Sequence, residues 1–266
     1  MRILIFGASG FIGTHLVRHA LESDVEVVAF SRSGGSHGEG VKWSLGDPVS
    51  EALCRDADCA LHLAHDFNGE AGASLTIEAT LSTIAALRAL GVKRQLYFSS
   101  YSAGPHATSV YGRTKLAIEQ ALASAPDVVI VRPGLVLGEG GIYGRINGWV
   151  RKNWIVPLPD NGVGMVPVIE ISRLCRESLN LASVAHVSRQ ANLFERAPVS
   201  LRQLVLSAAA KAGKRPLIVP VPSRLVLWGL RLAARLPIRL PVNEDNLAGF
   251  LANQTAQHIS TLDNER

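Results

Sequence analysis

Three residues in the middle of the chain are of types that together could move a proton: Ser100, Tyr111 and Lys115. Tyr111 and Lys115 stand four residues apart, which places them on one face of a helix. An isolated tyrosine has a pKa near ~10, but a lysine ammonium beside it favours the phenolate and lowers that pKa. We therefore expect Tyr111 to exchange a proton with a substrate hydroxyl or carbonyl while Ser100 hydrogen-bonds the same oxygen.

A glycine-rich turn near the N-terminus has the spacing of a pyrophosphate-binding turn. Gly7, Gly10 and Gly13 directly follow an apolar run and open a segment with helical spacing. Gly7 permits a tight turn, Gly10 lets a pyrophosphate approach the backbone, and Gly13 lets the helix pack against the sheet. The helix N-terminus adds N–H donors and partial positive charge. The position directly after a strand disfavours the alternative, a merely flexible turn.

The end of the second expected strand bears on the choice of nucleotide. Sites for NAD usually place Asp or Glu here, ~20 residues after the glycine motif, to bind the ribose 2′-hydroxyl. This chain has Ser31, Arg32 and Ser33 instead. A guanidinium without a neighbouring carboxylate suits a 2′-phosphate, so we expect NADP to be preferred, with NAD still an option. The alternative is an Arg32 that simply points into water.

The segments around these residues predict a parallel sheet wound with helices. Short apolar runs alternate with longer segments of helical spacing, which is typical of such sheets. Strands are expected at 2–6, 25–30, 41–43, 59–64, 95–99 and 128–131. Helices are expected at 11–23, 74–90, 111–124, 170–182, 200–211 and 223–236, with Ser200 and Ser223 as caps of the last two. Residues 138–167 are rich in glycine and proline and predict loops and small elements.

Composition and charge exclude several classes of protein. The 266 residues are 47% hydrophobic and 18% charged, which is typical of a compact globular protein. The net charge of +5 comes from scattered Lys and Arg residues, so no nucleic-acid partner is expected. Cys54, Cys59 and Cys175 form no zinc or Cys-x-x-Cys pattern and predict reduced thiols. With no secretory leader and no uninterrupted apolar stretch, we expect a cytoplasmic protein without a transmembrane segment.

The order of the motifs resembles that of the NAD(P)-dependent epimerase/dehydratases, an extended and atypical branch of the short-chain dehydrogenase/reductases. The matching segments cover most of the first half: 7–13, 46–48, 61–64, 97–100, 111–115 and 132–138. The resemblance implies an α/β fold whose Rossmann-type, doubly wound parallel sheet binds NAD(P) over residues 1–138. It also implies that residues 139–266 form mainly a small C-terminal substrate-binding domain. A strand of this domain, near 166–170 or 192–194, is a candidate to join the sheet of the first domain.

The resemblance also assigns roles to individual residues. Ser100, Tyr111 and Lys115 become the catalytic set, with Lys115 also holding the nicotinamide ribose. The motifs and the resemblance together place the following residues at the cofactor: Gly7, Ser9, Gly10, Phe11, Ile12, Gly13, Ser31, Arg32, Asp47, Pro48, Leu63, Ala64, His65, Tyr111, Lys115, Pro133, Gly134 and Val136. No metal site is expected, because His62 and His65 would point to opposite faces of a strand. Relatives often pair through two such helices, which makes a homodimer a further expectation.

The expected function is NAD(P)-dependent hydride transfer at a hydroxyl or carbonyl of a nucleotide-linked sugar, as a reductase or an epimerase. Tyr101 and Ser102 stand where dehydratases of the family carry an Asp-Glu pair, which disfavours a sugar 4,6-dehydratase. The ten residues between Ser100 and Tyr111 are fewer than many sugar epimerases carry, which predicts a smaller or more open pocket. The alternative from another class is a non-catalytic NADP(H)-binding redox sensor or assembly protein on the same fold.

Two features of the second half have alternative interpretations. The cluster of Arg145, Arg151 and Lys152 either receives a substrate diphosphate or forms a solvated basic face. The expected helix 223–236, which carries Arg235, either packs as a lid over the substrate domain, the favoured reading, or lies on a membrane surface.

Overall fold

The computed structural model describes residues 1–35, 38–184, 188–233, 240, 242–252 and 259–262. The strands are β1 (Arg2–Phe6), β2 (Glu26–Ser31), β3 (Glu39–Lys42), β4 (Cys59–His62), β5 (Arg94–Phe98), β6 (Val128–Pro133), β7 (Leu135–Leu137), β8 (Ile155–Pro159), β9 (Met165–Val166), β10 (Val168–Glu170), β11 (Gln190–Leu193), β12 (Val199–Ser200) and β13 (Leu217–Val221). The helices are α1 (Phe11–Glu22), α2 (Glu51–Cys54), α3 (Gly69–Ala89), α4 (Val110–Ala121), α5 (Gly141–Lys152), α6 (Ile171–Ser183), α7 (Leu201–Lys211), α8 (Ser223–Ala233) and α9 (Glu244–Ala252), and a 3₁₀ turn spans Asp160–Gly162.

The central sheet has seven parallel strands in the order β3-β2-β1-β4-β5-β6-β11. The chain winds outward from β1 to β3 on one side and from β4 to β6 on the other. The direction of winding therefore reverses between β1 and β4, and a crevice opens there at the carboxyl edge, where α/β proteins bind ligands. The doubly wound parallel sheet predicted from the sequence is confirmed.

Both faces of the sheet are covered by helices, which explains why its strands are almost continuously apolar. On one face, Leu16 of α1 and Cys175 of α6 belong to the core cluster beneath β1 and β5. On the other face, Ile84 of α3 and Ile118 of α4 pack against Tyr97. The site-bearing helices α1 and α4 are thus held on opposite faces of the sheet.

The largest departure from the sequence-based expectation is α5, which occupies a segment expected to form loops. Its glycine-rich start is a packing feature: a Cβ built on Gly140 would overlap the Phe11 ring, and one on Gly138 would lie 2.7 Å from it. Gly141 also has a φ of +62°, which an L side chain rarely adopts. The glycines therefore allow the start of α5 to lie directly on the first residue of α1.

The two expected helix caps have different outcomes. The Ser200 hydroxyl accepts from the Gln203 N–H at 3.1 Å, and the Gln203 side chain accepts from the Ser200 N–H at 2.7 Å, which is a complete capping box. The Ser223 prediction is wrong, because Ser223 is the first helical residue and its N–H donates to Asp160 Oδ1 at 2.9 Å. The remainder of that expected helix, with Arg235, lies outside the described residues.

Helix α8 has one face turned into the protein and one turned outward. Leu230 is 7% exposed and lies in the interior of the C-terminal half, whereas Trp228 is 64% exposed. Arg231 is paired with Glu244 of α9 at 2.6 Å. The packing of α8 against α9 supports the lid interpretation. Within the described ranges, no helix has the length and apolar character needed to cross a membrane.

Candidate active site

The glycine turn follows β1 at the crevice. Gly7 has a φ of +92°, and a Cβ built on it would lie 2.7 Å from the Ala64 backbone nitrogen. A Cβ on Gly13 would overlap the Gly7 carbonyl oxygen, so both positions need glycine for the fold itself. A Cβ on Gly10 would meet that oxygen at 3.2 Å and otherwise face open space in front of α1. Gly10 is therefore the position where a ligand can approach the first turn of the helix.

The structure brings most of the other expected cofactor residues to the same edge of the sheet. Ser31 ends β2, and its hydroxyl lies 3.4 Å from that of Ser33 beside the exposed Arg32. Leu63 follows β4 and donates its N–H to the Phe6 carbonyl at 2.9 Å. The remaining members are Ser9, Phe11 and Ile12 at the start of α1, Asp47 and Pro48 after β3, Ala64 and His65 after β4, Pro133 at the end of β6, Gly134 after it, and Val136 in β7.

The three expected catalytic residues meet beyond the end of β5. The Ser100 hydroxyl lies beside the Tyr111 phenol and lowers its pKa. Ser100 Oγ also accepts from the Ser102 N–H at 3.1 Å, which fixes the serine. Tyr111 lies in the first turn of α4, whose N-cap Ser109 accepts from the Gly112 N–H at 3.0 Å. Hydrogen bonds thus fix both the loop after β5 and the start of α4.

Lys115 lies one turn further along α4 and is almost completely buried, with 2% exposure. Its ammonium nitrogen donates to the Phe98 carbonyl at 2.7 Å and lies 4.9 Å from the centroid of the Tyr97 ring. Burial lowers the pKa of Lys115 to about 7, and the nearby Glu119 carboxylate opposes that shift. Lys115 therefore changes its charge close to neutral pH.

The expectation that Lys115 lowers the pKa of Tyr111 is not met in this structure. Desolvation of the phenol raises the pKa of Tyr111 to about 12, and the Ser100 hydroxyl offsets part of that rise. The Lys115 nitrogen lies 5.6 Å from the centroid of the Tyr111 ring and is bonded to a backbone carbonyl instead. Tyr111 is therefore a protonated phenol at neutral pH, which suits a proton donor.

An aromatic wall beside Tyr111 was only partly foreseen. The His65 ring lies 4.9 Å from the Tyr111 ring in an edge contact, and the Phe67 ring stacks on Tyr111 at 6.0 Å. Phe67 is 78% exposed, and the sequence contains no signal for its position. Burial, with a smaller effect of Lys115, lowers the pKa of His65 to about 3, so its ring is neutral.

His62 does not share the environment of His65. Its Nε2 lies 2.9 Å from Gln95 Oε1, its ring stacks on Phe6, and burial lowers its pKa to about 4. The two histidines therefore have separate partners. Across the described ranges, no group of three or more His, Cys, Asp or Glu side chains is arranged to hold a metal ion.

Two acidic residues that support α4 were not foreseen from the sequence. Asp245 of α9 accepts from the Val110 N–H at 2.5 Å and from the Tyr111 N–H at 3.2 Å. It therefore caps the catalytic helix from 134 residues away. Glu119, one turn after Lys115, forms a bidentate ion pair with Arg132 of β6. Neither pairing has a local sequence signal, because each joins residues from separate elements.

With this geometry in place, the comparisons with known proteins agree on the class. The model of the NAD dependent epimerase/dehydratase family matches residues 3–153, and the chain belongs to that family. The match covers the glycine turn, the crevice, the Ser100–Tyr111–Lys115 set and α5. No curated protein sequence matches the chain.

Solved structures of similar fold include three nucleotide-sugar enzymes. The UDP-glucose 4-epimerase of Thermotoga maritima with UDP-glucose is 21% identical, with a TM-score of 0.70 over 84% of this chain and 86% of that one. An NAD-dependent NDP-hexosamine 5,6-dehydratase of tunicamycin biosynthesis is 18% identical, with a TM-score of 0.71 over 97% and 99%. The UDP-glucuronic acid 4-epimerase of Bacillus cereus, with UDP-glucuronic acid and NAD, is 16% identical, with a TM-score of 0.71 over 96% and 98%. At these identities the likeness establishes the fold.

The buried Lys115 generates a prediction about pH. Its pKa is about 7 in the folded protein and 10.5 when unperturbed, so between these values the unfolded chain binds more protons than the folded one. Stability must therefore rise with pH through this window, while below pH 7 the full penalty for burying the charge remains. The free energy of unfolding is measured in urea for the wild type and for Lys115→Met. We expect the difference, wild type minus variant, to rise by up to about 1.4 kcal/mol per pH unit from ~pH 7 to 9. Parallel pH profiles for the two proteins would contradict a buried, titrating Lys115.

The cap from Asp245 generates a second prediction. Asp245→Ala removes the acceptor for the Val110 and Tyr111 N–H groups, and loss of such a cap costs about 1 kcal/mol. We expect these two amides to exchange hydrogen about fivefold faster or more, measured by amide exchange. The matched control is Glu244→Ala, which removes the neighbouring carboxylate that pairs with Arg231. Equal protection in Asp245→Ala and wild type would refute the capping role.

Proposed function

We propose that the protein is an NAD(P)-dependent oxidoreductase that moves hydride between a nicotinamide and a hydroxyl or carbonyl carbon of its substrate. The observation that carries the proposal is that the Ser100 hydroxyl lies beside the Tyr111 phenol, with buried Lys115 one turn along α4. When bound, the nicotinamide nucleotide supplies or accepts the hydride. Family membership supports the same chemistry.

The residues of the crevice fit such a nucleotide. The close approach of Gly7 to Ala64 and the open space at Gly10 form a cradle in front of α1, where a pyrophosphate could accept from the first-turn N–H groups. Ser99 Oγ and His65 Nδ1 are buried near the catalytic set and have no hydrogen-bond partner within the described part of the chain. Buried polar atoms normally have partners, so these are candidate contacts for a ligand.

The proton chemistry follows from the state of Tyr111. As a protonated phenol it would give its proton to a carbonyl oxygen that the Ser100 hydroxyl also binds, and it would regain a proton from solvent. Lys115 would hold the nicotinamide ribose. An exchangeable NADP(H) fits the reductase better than the epimerase, because an epimerase returns the hydride to the same substrate.

We also propose that NADP is preferred over NAD. Arg32 is exposed at the end of β2 and is flanked by the neighbouring Ser31 and Ser33 hydroxyls, which suits a 2′-phosphate. The family is NAD-dependent, and one of the solved structures above contains NAD, so NAD remains the competing cofactor.

The remaining expectations enter as parts of the proposal. Nucleotide-linked sugars are the first substrates to assay, since two of the solved structures above contain UDP-glucose or UDP-glucuronic acid. Residues 1–138 would bind the nucleotide and 139–266 mainly the substrate. Two copies would pair through the outer faces of α3 and α4. Free, buried Cys54, Cys59 and Cys175 support a reducing compartment such as the cytoplasm.

The cofactor proposal predicts the effect of one substitution. Arg32→Ala removes the guanidinium, and we expect NADPH to bind about tenfold more weakly while NADH affinity changes less than about twofold. Calorimetric titration of both proteins with both nucleotides measures this. The control is Arg55→Ala, whose guanidinium pairs with Glu51. If the wild type binds NADH more tightly than NADPH, the proposed NADP preference is overturned and the epimerase is favoured. If the wild type binds neither nucleotide, the proposal that the protein is an oxidoreductase is overturned.

Tyr111→Phe tests the catalytic assignment. It keeps the ring contacts with His65 and Phe67 but removes the proton donor, so we expect turnover to fall by about 10²- to 10⁴-fold with NADPH affinity retained. The assay follows nicotinamide absorbance with UDP-glucose, UDP-glucuronic acid and simple ketones, and Tyr143→Phe is the matched control. An unchanged rate in Tyr111→Phe would remove Tyr111 from the mechanism. Cofactor binding without turnover of any substrate would favour the redox-sensor alternative.

A further inference from the structure

A cavity of about 410 Å³ lies in the C-terminal half of the protein. Its wall is built by β8 and the helices α5, α7, α8 and α9. The volume lies within the range of small-molecule sites, roughly 300–1,000 Å³. We call this cavity the apolar chamber.

One end of the apolar chamber adjoins the catalytic residues. Tyr101 lines it and directly follows Ser100. Leu135 lines it and directly follows Gly134, which is expected at the cofactor. Ile142, also in the wall, follows the glycine turn that packs on Phe11. A substrate whose reacting carbon lies at Tyr111 would therefore extend its body into the chamber.

The wall of the chamber is almost entirely hydrocarbon. Typical members are Ile146, Val150, Val205, Leu230 and Phe250. The described residues of the wall include no charged side chain, and polar side-chain groups come from Tyr101, Trp149 and Asn246.

The oxygens of Tyr101 and Asn246 already have partners. The Tyr101 hydroxyl is hydrogen-bonded to Ser102. The Asn246 side-chain oxygen accepts from Arg145 Nη2 at 3.3 Å and from the Asn243 N–H at 3.4 Å. Burying sugar hydroxyls without partners is costly, so this wall suits a group that needs none.

The basic residues near α5 do not change the character of the chamber. Arg145 reaches only its rim, through Asn246. Arg151 and Lys152 are exposed and do not belong to the wall. A diphosphate inside the chamber would therefore lack the cationic partners that such groups normally have.

We propose that the apolar chamber binds the hydrocarbon body of the substrate, so that the substrate is a hydroxy or keto compound bearing an alkyl or alicyclic group. The inference rests on the proposed function, which places the reacting carbon at Tyr111. A nucleotide-linked sugar is the rival substrate.

A ladder of methyl ketones tests the proposal. The probes are 2-butanone, 2-hexanone, 2-octanone and 2-decanone, each with NADPH and wild-type protein, with UDP-glucose as the rival. We expect kcat/KM to rise about fourfold for each added methylene until the chamber is filled. Binding of the same ketones, measured by calorimetry in the presence of NADP, should rise in parallel.

A variant that fills the chamber provides the structural control. Gly229 of α8 lines the chamber, and a Cβ built on it meets nothing within 4 Å. Leucine also favours helix more than glycine does, so Gly229→Leu should fold. We expect it to lower kcat/KM for 2-decanone at least tenfold and to lower kcat/KM for 2-butanone much less, so that the ladder becomes shallower. Gly148→Leu on α5 is the matched control, because Gly148 also faces open space but is not part of the wall.

The outcomes separate this proposal from the proposed function. The chamber proposal would be overturned if neither the affinity nor kcat/KM rises with the chain length of the ketone. A second contrary result would be that the protein turns over UDP-glucose at the same rate with and without Gly229→Leu, while kcat/KM for the ketones does not depend on chain length. In that second case the oxidoreductase itself stands. Binding that rises along the ladder without turnover of any ketone or UDP-glucose would support the chamber and reject hydride transfer.

Discussion

The burial of a lysine beside a tyrosine is the constraint on which the candidate active site depends. Lys115 has 2% exposure and Tyr111 is partly buried, so desolvation shifts the two pKa values in opposite directions, to about 7 and about 12. Near neutral pH the lysine can lose its charge while the phenol keeps its proton. The Lys115 amine donates to the Phe98 carbonyl, and the Ser100 hydroxyl partly offsets the rise in the Tyr111 pKa.

The rest of the structure supports α4 from several directions. Glu119 and Arg132 join it to the central sheet, and Asp245 caps its start from α9. Helix α9 also contributes Leu247 to the wall of the apolar chamber. One helix therefore contacts both the backbone of the proton donor and the space that we assign to the substrate. A ligand in the chamber would contact α9, the helix whose Asp245 accepts from the Tyr111 N–H.

The two halves of the chain differ in the features that they contribute. The first half has the crevice, the glycine cradle and the three residues that we propose as the catalytic set, and the fold is shared with nucleotide-sugar enzymes. In the second half, α5 begins on the Phe11 ring, so the substrate side is built directly onto the nucleotide-binding turn. The family model matches residues 3–153, whereas most residues of the chamber wall lie after that match.

The doubly wound sheet, the glycine turn and the placement of Ser100 near Tyr111 can be predicted from the sequence, because each depends on local spacing or on strand ends that share one edge. The sequence does not reveal that α5 is a helix. The glycines at its start are typical of a loop, but they are needed because Gly140 packs against the Phe11 ring. The direction of the Tyr111 pKa shift, the Asp245 cap and the apolar chamber are visible only in the folded chain. These depend on burial and on contacts between distant segments, which no local pattern of residues encodes.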